Sequence, residues 1–323
     1  MSTAVRRILA ITGGVGGAKL ALGLARVLEP EQLTFLVNTG DDFEHLGLTI
    51  CPDIDTLLYT LSGQANPDTG WGRREESWHC LDTLAELGGA TWFKLGDRDL
   101  ATHLLRTEAL RSGASLTDVT AMLARGLGIP QRVLPMSDDR IATVIRTPAG
   151  ELAFQQYFVR ERCAPEVIGF RFEGREQARM PAGLSELLAD TELDGIVICP
   201  SNPFVSVDPI LAVPGLREAL TGAAAPVVAV SPIIAGSAVK GPTAKMMTEL
   251  GVPRDAVAVA RHYGTLLDGF VLDNSDASRL ADVEALGLQA VAAPTLMVTL
   301  QDKMNLALAT LDFIASISKS AIH

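Results

Sequence analysis

The stretch Arg7-Ile8-Leu9-Ala10-Ile11-Thr12-Gly13-Gly14-Val15-Gly16-Gly17-Ala18-Lys19 decides the fold, together with Leu33-Thr34-Phe35-Leu36-Val37-Asn38-Thr39-Gly40-Asp41-Asp42. Residues 7–12 are a short aliphatic and β-branched run of the kind that forms a buried strand. Gly13, Gly14, Gly16 and Gly17 then make a turn, and residues 19–28 carry the apolar period of an amphipathic helix. Residues 33–37 are a second buried strand. Strand, glycine turn, helix and strand in that order form the βαβ unit of a doubly wound parallel sheet. The expected class is α/β: a Rossmann-like, doubly wound, mostly parallel sheet with a helical and hairpin insertion.

Outward from this unit, residues 55–61 read as a helix and 70–74 as a polar turn. Residues 99–111 and 116–127 have helical period, with Ser115 placed to cap the second. Residues 142–146 and 151–159 alternate like the arms of a hairpin about Pro148-Ala149-Gly150. The α/β rhythm returns with strands at 195–199, 226–230 and 269–272, and further short strands are expected at 288–292 and 296–299. Residues 302–317 close the chain as a helix. No repeat, low-complexity run or flexible linker stands out. The whole chain, 1–323, therefore reads as one α/β domain, with a core over about 1–55 and 190–323 and an insertion over about 56–190 that covers the site.

Composition excludes several classes. The chain holds 27 Lys+Arg against 38 Asp+Glu, a net charge of −11, so no basic surface is expected for nucleic acid or an anionic membrane. An acidic protein that handles phosphates must gather its few cations, or a metal, in one place. Cys51, Cys80, Cys163 and Cys199 are widely spaced with no C-x-x-C pair, which argues against zinc and disulfides and suits a reducing cytosol. The apolar run after Arg6-Arg7 ends at Gly13-Gly14, too short for a signal peptide. The apolar stretch near 226–236 is broken by Ser231-Pro232 and cannot span a bilayer. A cytoplasmic enzyme acting on small molecules is the expectation.

Chemistry is indicated first by the glycine turn. Backbone N–H groups at a helix N-terminus attract anions, and glycines let a phosphate approach closely. The turn is not a P-loop, which would need Gly at Ala18 and Ser or Thr at Leu20. It is not a full G-x-G-x-x-G either, because Lys19 stands at the third glycine. The competing reading is a tight strand-to-helix turn without a ligand. Beyond the second strand stand Asp41, Asp42, Asp53 and Asp55, with Asp97 and Asp99 flanking Arg98. One acid at the strand end would bind a ribose; several suit a hard cation such as Mg²⁺ holding a diphosphate. Single members of the set, Asp55 and Asp99 above all, also fit helix N-caps. Three small-polar loops accompany strands: Ser201-Asn202-Pro203, the stretch from Ser231 to Gly241 with Lys240, and Ser137-Asp138-Asp139-Arg140. In open α/β sheets such loops meet at the ligand crevice, where Asn202 would read a base or ribose and Lys240 would face a phosphate. Their plain alternative is turn chemistry. No nucleophile elbow exists, and His45, His79, His103, His262 and His323 have no motif-like spacing to a nucleophile. Trp71, Trp78 and Trp92 either stack on a flat ring or pack the core.

The ordered set of motifs carries more than any one of them. It comprises residues 11–19, Asn38-Thr39-Gly40-Asp41-Asp42, Cys51-Pro52-Asp53-Ile54-Asp55-Thr56 and Leu95-Gly96-Asp97-Arg98-Asp99. Leu134-Pro135-Met136-Ser137-Asp138-Asp139, Phe154-Gln155, Pro200-Ser201-Asn202-Pro203 and Ser231-Pro232-Ile233-Ile234 follow. From about residue 8 to 304 the chain resembles the CofD-type phospholactate (phosphoenolpyruvate) transferases of coenzyme F(420) biosynthesis. The resemblance implies transfer of a phospho-acid group from a GDP-linked donor to the ribityl hydroxyl of the deazaflavin Fo, with release of GMP. The acid would be 2-phospholactyl, phosphoenolpyruvyl or phosphoglyceryl. It implies that Gly13, Gly14, Gly16, Gly17, Lys19, Ser201, Asn202, Ser231, Lys240 and Gly241 hold the guanine nucleotide. Asp55, Lys94 and Arg98 would lie against Fo. Mg²⁺ is assigned to Asp41, Asp42, Asp53 and Asp55, which agrees with the carboxylate count. Catalytic roles fall to Arg98, stabilising the transition state, and to Asp97 or Asp55, orienting the hydroxyl. A homodimer is the family-level expectation. Two other classes compete: a nucleotide-sugar-binding regulator of the gluconeogenesis-factor type, and an NAD(P) oxidoreductase, against which Lys19 at the third glycine counts.

Overall fold

The computed structural model describes residues 7–238 and 241–320. Seven strands form the central sheet: β1 (Ile8–Thr12), β2 (Leu33–Val37), β5 (Arg132–Pro135), β9 (Gly195–Ile198), β10 (Val227–Val230), β13 (Gly269–Asp273) and β14 (Gln289–Ala293). Three small antiparallel units account for the other labels. They are the hairpin β3 (Phe43–His45) and β4 (Leu48–Ile50), the sheet of β6 (Ala142–Thr147), β7 (Gly150–Ala153) and β8 (Gly169–Glu173), and the pair β11 (Ile233–Ile234) and β12 (Ser237–Ala238). The main sheet runs β14-β13-β10-β9-β1-β2-β5, and all six pairings are parallel. This is the doubly wound α/β arrangement expected from the sequence. The chain moves outward from β1 to β2 to β5, then crosses back to lay β9 on the other side of β1. The strand order therefore reverses between β1 and β9, the switch point beyond whose strand ends such sheets bind ligands.

Alternation along the strands splits the core in two. Leu9, Ile11, Leu36, Ile196 and Ile198 face one layer, and Ile8, Ala10, Phe35, Val37 and Val197 face the other. Both faces are covered, so the strands read as continuous apolar runs. The second layer holds α1 (Gly14–Val27), α2 (Pro52–Leu61), α5 (Leu116–Gly126) and the C-terminal helix Leu300–Ser320. Between α2 and α5 lie α3 (His79–Glu86) and α4 (Asp97–Arg111).

Several elements depart from the sequence expectation. Helix α1 begins at Gly14, ahead of the expected start at residue 19, so Gly16 and Gly17 lie within its first turn. Glycine is a poor helix former, but here close approach outweighs propensity: a Cβ on Gly16 would stand 2.4 Å from the Pro200 carbonyl oxygen. The hairpin's second arm stops at Ala153, and Gln156–Arg160 is a π-helical turn. Residues 296–299 are not a strand. The Val298 and Thr299 N–H groups donate to Asp302, and Asp302 N–H donates back to the Thr299 hydroxyl, which caps the C-terminal helix. Within the stretch 56–190, read as an insertion, β5 joins the sheet as its edge strand, and β8 adds a third strand to the expected hairpin. Ser115 does cap α5, its hydroxyl accepting the Asp118 N–H at 3.0 Å. Among the described residues no helix is long and apolar enough to cross a membrane.

Helix α1 packs on the C-terminal helix through Gly23, where a Cβ would stand 2.1 Å from the Lys303 carbonyl oxygen. Backbone cannot yield as a flexible side chain does. Gly23→Ala should lower stability by about 1–3 kcal/mol in urea denaturation, despite alanine's better helix propensity. An unchanged midpoint would show that the two helices separate at no cost.

Candidate functional site

At the end of β1, the Gly13 N–H donates to the Ser201 hydroxyl at 3.2 Å, which joins the glycine loop to the loop after β9. Gly17 has no room for a side chain, since a Cβ would stand 2.4 Å from Thr12 Oγ1 and 2.5 Å from Ser201 Oγ. Gly14, at φ +63°, adopts the left-handed conformation that glycine tolerates. A Cβ on Gly13 would stand 2.8 Å from Asp53 Oδ2 and from Ser206 Cβ. The glycine loop is therefore enclosed by Ser201, Ser206 and Asp53.

Asn38, the first residue beyond β2, organises the acids. Its Nδ2 donates to Asp53 Oδ2 at 2.8 Å and to the Val205 carbonyl at 3.3 Å, while its Oδ1 accepts the Gly40 N–H at 2.8 Å. One amide thus ties together the loop after β2, the first turn of α2 and the π-helical turn Pro203–Val207. Burial pushes the Asp53 carboxyl up to about 6, although Asn38 and the Gly14 backbone favour its charged form. Burial, reinforced by Asp53, raises Asp41 well above the ordinary carboxylate range, and burial raises Asp42 likewise. Asp41 Oδ1 and Asp42 Oδ1 are buried and lack any hydrogen-bond partner. Gln155, from the Phe154-Gln155 motif, donates to the Asp41 carbonyl at 3.3 Å.

Asp55 is different. Both its oxygens meet the Arg106 guanidinium, one bond being 3.0 Å long. Arg106 is fully buried on α4; burial opposes its charge, but Asp55 beside it, helped by Cys51 and Asp42, outweighs that and drives its pKa up. His103 lies between the two acids of this cluster, 3.7 Å from Asp55 and 3.3 Å from Asp99. The Tyr59 hydroxyl donates to Asp99 at 2.6 Å. Asp55, Asp99 and His103 stand close enough to share an ion, yet Arg106 already neutralises Asp55. Asp41 and Asp42 each keep one buried oxygen without a hydrogen-bond partner, and with Asp53 they form a second set of carboxylates near the start of α1, looser than Asp55, Asp99 and His103. A cation that retains water and takes one or two carboxylates together with substrate phosphates suits such a set.

The remaining residues fall into two places. Around the crevice, Asn202 accepts the Phe204 N–H at 3.0 Å, and the Ser231 hydroxyl accepts the Ile233 N–H at 3.1 Å, so both side chains shape their own loops. Lys19 Nζ donates to the Met297 carbonyl at 3.0 Å. Gly241 is left-handed with open space around it, and Lys240 lies outside the described residues. A second group gathers at the start of α4. Asp97 accepts the Ser77 hydroxyl at 2.6 Å and the His79 and Cys80 N–H groups at 3.1 Å; the Ser77 bond leads in holding it below the usual carboxylate range. Arg98 is half exposed, 3.3 Å from Glu75, and Lys94 is exposed. Trp92 packs against Phe43, His45 and Phe93, whereas Trp71 and Trp78 are exposed. Sequence reasoning passed over the Tyr59–His103–Arg106 network, although one signal was present: Asp99, His103 and Arg106 are spaced four and three apart and share one face of α4.

Comparison with known proteins adds identity to this geometry. A family model described as 2-phospho-L-lactate transferase CofD matches residues 8–299. The chain is 43% identical to a phosphoenolpyruvate transferase from Streptomyces griseus, covering 90% of this chain and 93% of that protein. It is 42% identical to one from Kitasatospora aureofaciens, covering 93% and 95%, and 39% identical to one from Mycolicibacterium smegmatis, covering 90% and 93%. The crystal structure of a UPF0052-family protein from Bacillus halodurans shares the fold, with a TM-score of 0.61 at 17% identity over 95% of this chain and 99% of that one.

Two outcomes follow from the charges. Arg106→Met would leave Asp55 buried without its guanidinium, with only His103 at 3.7 Å beside it, and should cost about 3–5 kcal/mol in urea denaturation. Adding Asp55→Asn should return much of that loss, and a double variant no better than the single would refute the pairing. Asp53 behaves oppositely. Its folded pKa of about 6 exceeds the ordinary 3.8, so the native state holds more protons in that window and stability falls as pH rises through it. In chelator, Asp53→Asn should melt above the parent at about pH 7.5 and match it near pH 4. Equal melting at the higher pH would show the carboxylate to be fully compensated.

Proposed function

Because the chain belongs to the CofD family of phosphoenolpyruvate and 2-phospholactate transferases, we propose that it transfers a phosphoenolpyruvyl group from a GDP-linked donor to the ribityl hydroxyl of the deazaflavin Fo. The hydroxyl oxygen forms a bond to the phosphorus carrying the acid, the phosphorus–oxygen bond to GMP breaks, and the hydroxyl proton leaves to solvent. The phosphoenolpyruvyl form of the acid is favoured over the lactyl form by the relatives' names. The observation that carries the reading is the pair Asp41 and Asp42, each with one buried oxygen that has no hydrogen-bond partner, near Asp53, which Asn38 binds beside the Gly13–Gly17 helix start.

Transfer from a diphosphate requires charge neutralisation and in-line placement, with little covalent work by the protein. The N–H groups at the start of α1 would receive the phosphates of the nucleotide, and the Ser201-Asn202 and Ser231 loops would wall its crevice. Asp41, Asp42 and Asp53 would hold Mg²⁺, which supplies positive charge to the diphosphate oxygens. Asp55, engaged by Arg106, serves this reading by fixing α4 against α2 rather than by binding metal. Arg98, whose guanidinium lies 3.3 Å from Glu75, would stabilise the transition state from the acceptor side, and Asp97 would set the turn that carries it.

The test is product identification by mass spectrometry, from Fo with each GDP-linked acid in turn. The phosphoenolpyruvyl product and GMP should form with Mg²⁺, stop when EDTA is added, and resume when Mg²⁺ is restored. Nucleotide binding without turnover from any donor would point to a regulator instead, and undiminished turnover in EDTA would remove the metal from the scheme.

A further inference from the structure

Glu76 belongs to none of the motifs, yet its carboxylate sits on the first turn of α4. Its Oε2 accepts the Arg98 N–H and its Oε1 the Asp99 N–H, each at 2.8 Å. It fills the space that a side chain at Gly96 would need, since a Cβ there would stand 2.2 Å from Glu76 Cδ. That is a physical reason for glycine in the Gly96-Asp97-Arg98-Asp99 run. The bonding is reciprocal. Asp97, in the first turn of α4, accepts from Ser77 and from the His79 and Cys80 N–H groups at the start of α3, and its own N–H donates to the Ser77 carbonyl at 3.0 Å. The segment leading into α3 and the first turn of α4 thus exchange carboxylates, each meeting N–H groups that a helix start leaves unpaired and the positive end of a helix dipole.

Apolar burial does little for this region. No residue of α3 is buried, and Trp71 and Trp78 are 49% and 38% exposed. The excursion that carries them is tied to α4 by polar groups: Glu76 and Asp97 as above, Glu75 to the Arg98 guanidinium, and Arg73 to the Arg98 carbonyl at 3.4 Å. Glu75 is held at φ +55°, a left-handed conformation that costs a non-glycine residue energy and persists only where its neighbours are fixed. Loss of the Glu76 carboxylate would free Glu75, Arg98 and Trp78 together.

We infer that Glu76 is a positioning residue for the acceptor end of the site, acting through Arg98 by clamping the two successive N–H groups of the α4 first turn. This rests on the transferase reading above and deepens it: Glu76 governs how the flat deazaflavin is received and leaves the nucleotide crevice unaltered.

The experiment compares the parent, Glu76→Ala, Glu76→Gln and Arg98→Ala by fluorescence titration with Fo and by steady-state kinetics in both substrates. Glu76→Ala should raise the Kd and KM for Fo about tenfold or more, the loss expected of two charge-assisted hydrogen bonds, while the donor KM stays within about twofold. Glu76→Gln, which keeps one acceptor oxygen, should recover part of the loss. The unchanged donor KM also certifies that the variants are folded. A parent that binds Fo and turns over, with Glu76→Ala equal to it while Arg98→Ala is impaired, would overturn this inference alone. Parallel loss toward donor and acceptor would overturn it as well, showing a general structural role. A parent that neither binds Fo nor turns over would sink the transferase reading, and this inference with it.

Discussion

Arg106 is the only lysine or arginine that is fully buried among the described residues, and it lies among more carboxylates than it can neutralise. Its guanidinium takes Asp55. Asp42 senses both residues, and Asp41 and Asp53 lie one step further along the same loop and helix turn. A buried ion pair contributes little net stability, because desolvation cancels much of its attraction, but removing one partner is costly. The pair therefore acts less as glue than as a fixed point. It fastens α4 to α2 and leaves a defined excess of carboxyl groups at the end of β2. Burial raises the pKa of each of these three remaining acids, which favours their neutral forms over an uncompensated buried charge.

The glycine loop beside these acids is held by close approach. Gly16 lets α1 meet the Pro200 carbonyl, Gly17 lets it meet Thr12 and Ser201, and Gly13 leaves space for Asp53. Asn38 then makes the acids part of the same body as the glycine loop, since its one amide group bonds three separate segments. A parallel sheet whose strand order reverses at β1 and β9 presents these loops to one opening. The UPF0052-family structure shares that sheet at low identity, which is expected where the architecture is common and chemistry is lodged in loops.

Helix α4 joins the buried charge cluster to the surface. One face carries Asp99, His103 and Arg106 into the interior, and its first turn holds Asp97 and the half-exposed Arg98. The carboxylate of Glu76 anchors that turn from outside, while Tyr59 and Asp55 anchor the helix from within. Displacement of α4 would be felt at both ends, because polar contacts of defined geometry, and not a deformable apolar face, set its position.

The sequence by itself determined the sheet. Aliphatic and β-branched runs at residues 7–12, 33–37, 195–199, 226–230 and 269–272 have no stable place except between two helical layers, and the glycines after the first marked the strand-to-helix turn beside the switch point. It also determined the family, through the order of several short motifs. Only the tertiary structure decided which aspartate does what. Asp41, Asp42, Asp53, Asp55 and Asp97 are alike as letters, and their differences come from partners distant along the chain: Arg106 for Asp55, Asn38 for Asp53, the start of α3 for Asp97, and no hydrogen-bond partner for one oxygen each of Asp41 and Asp42. Edge strand β5 and the capped loop at 296–299 were hidden for a related reason. Four-residue segments carry too little periodicity to declare their state, which is settled by the neighbouring strand that pairs with one and the Asp302 carboxylate that bonds the other.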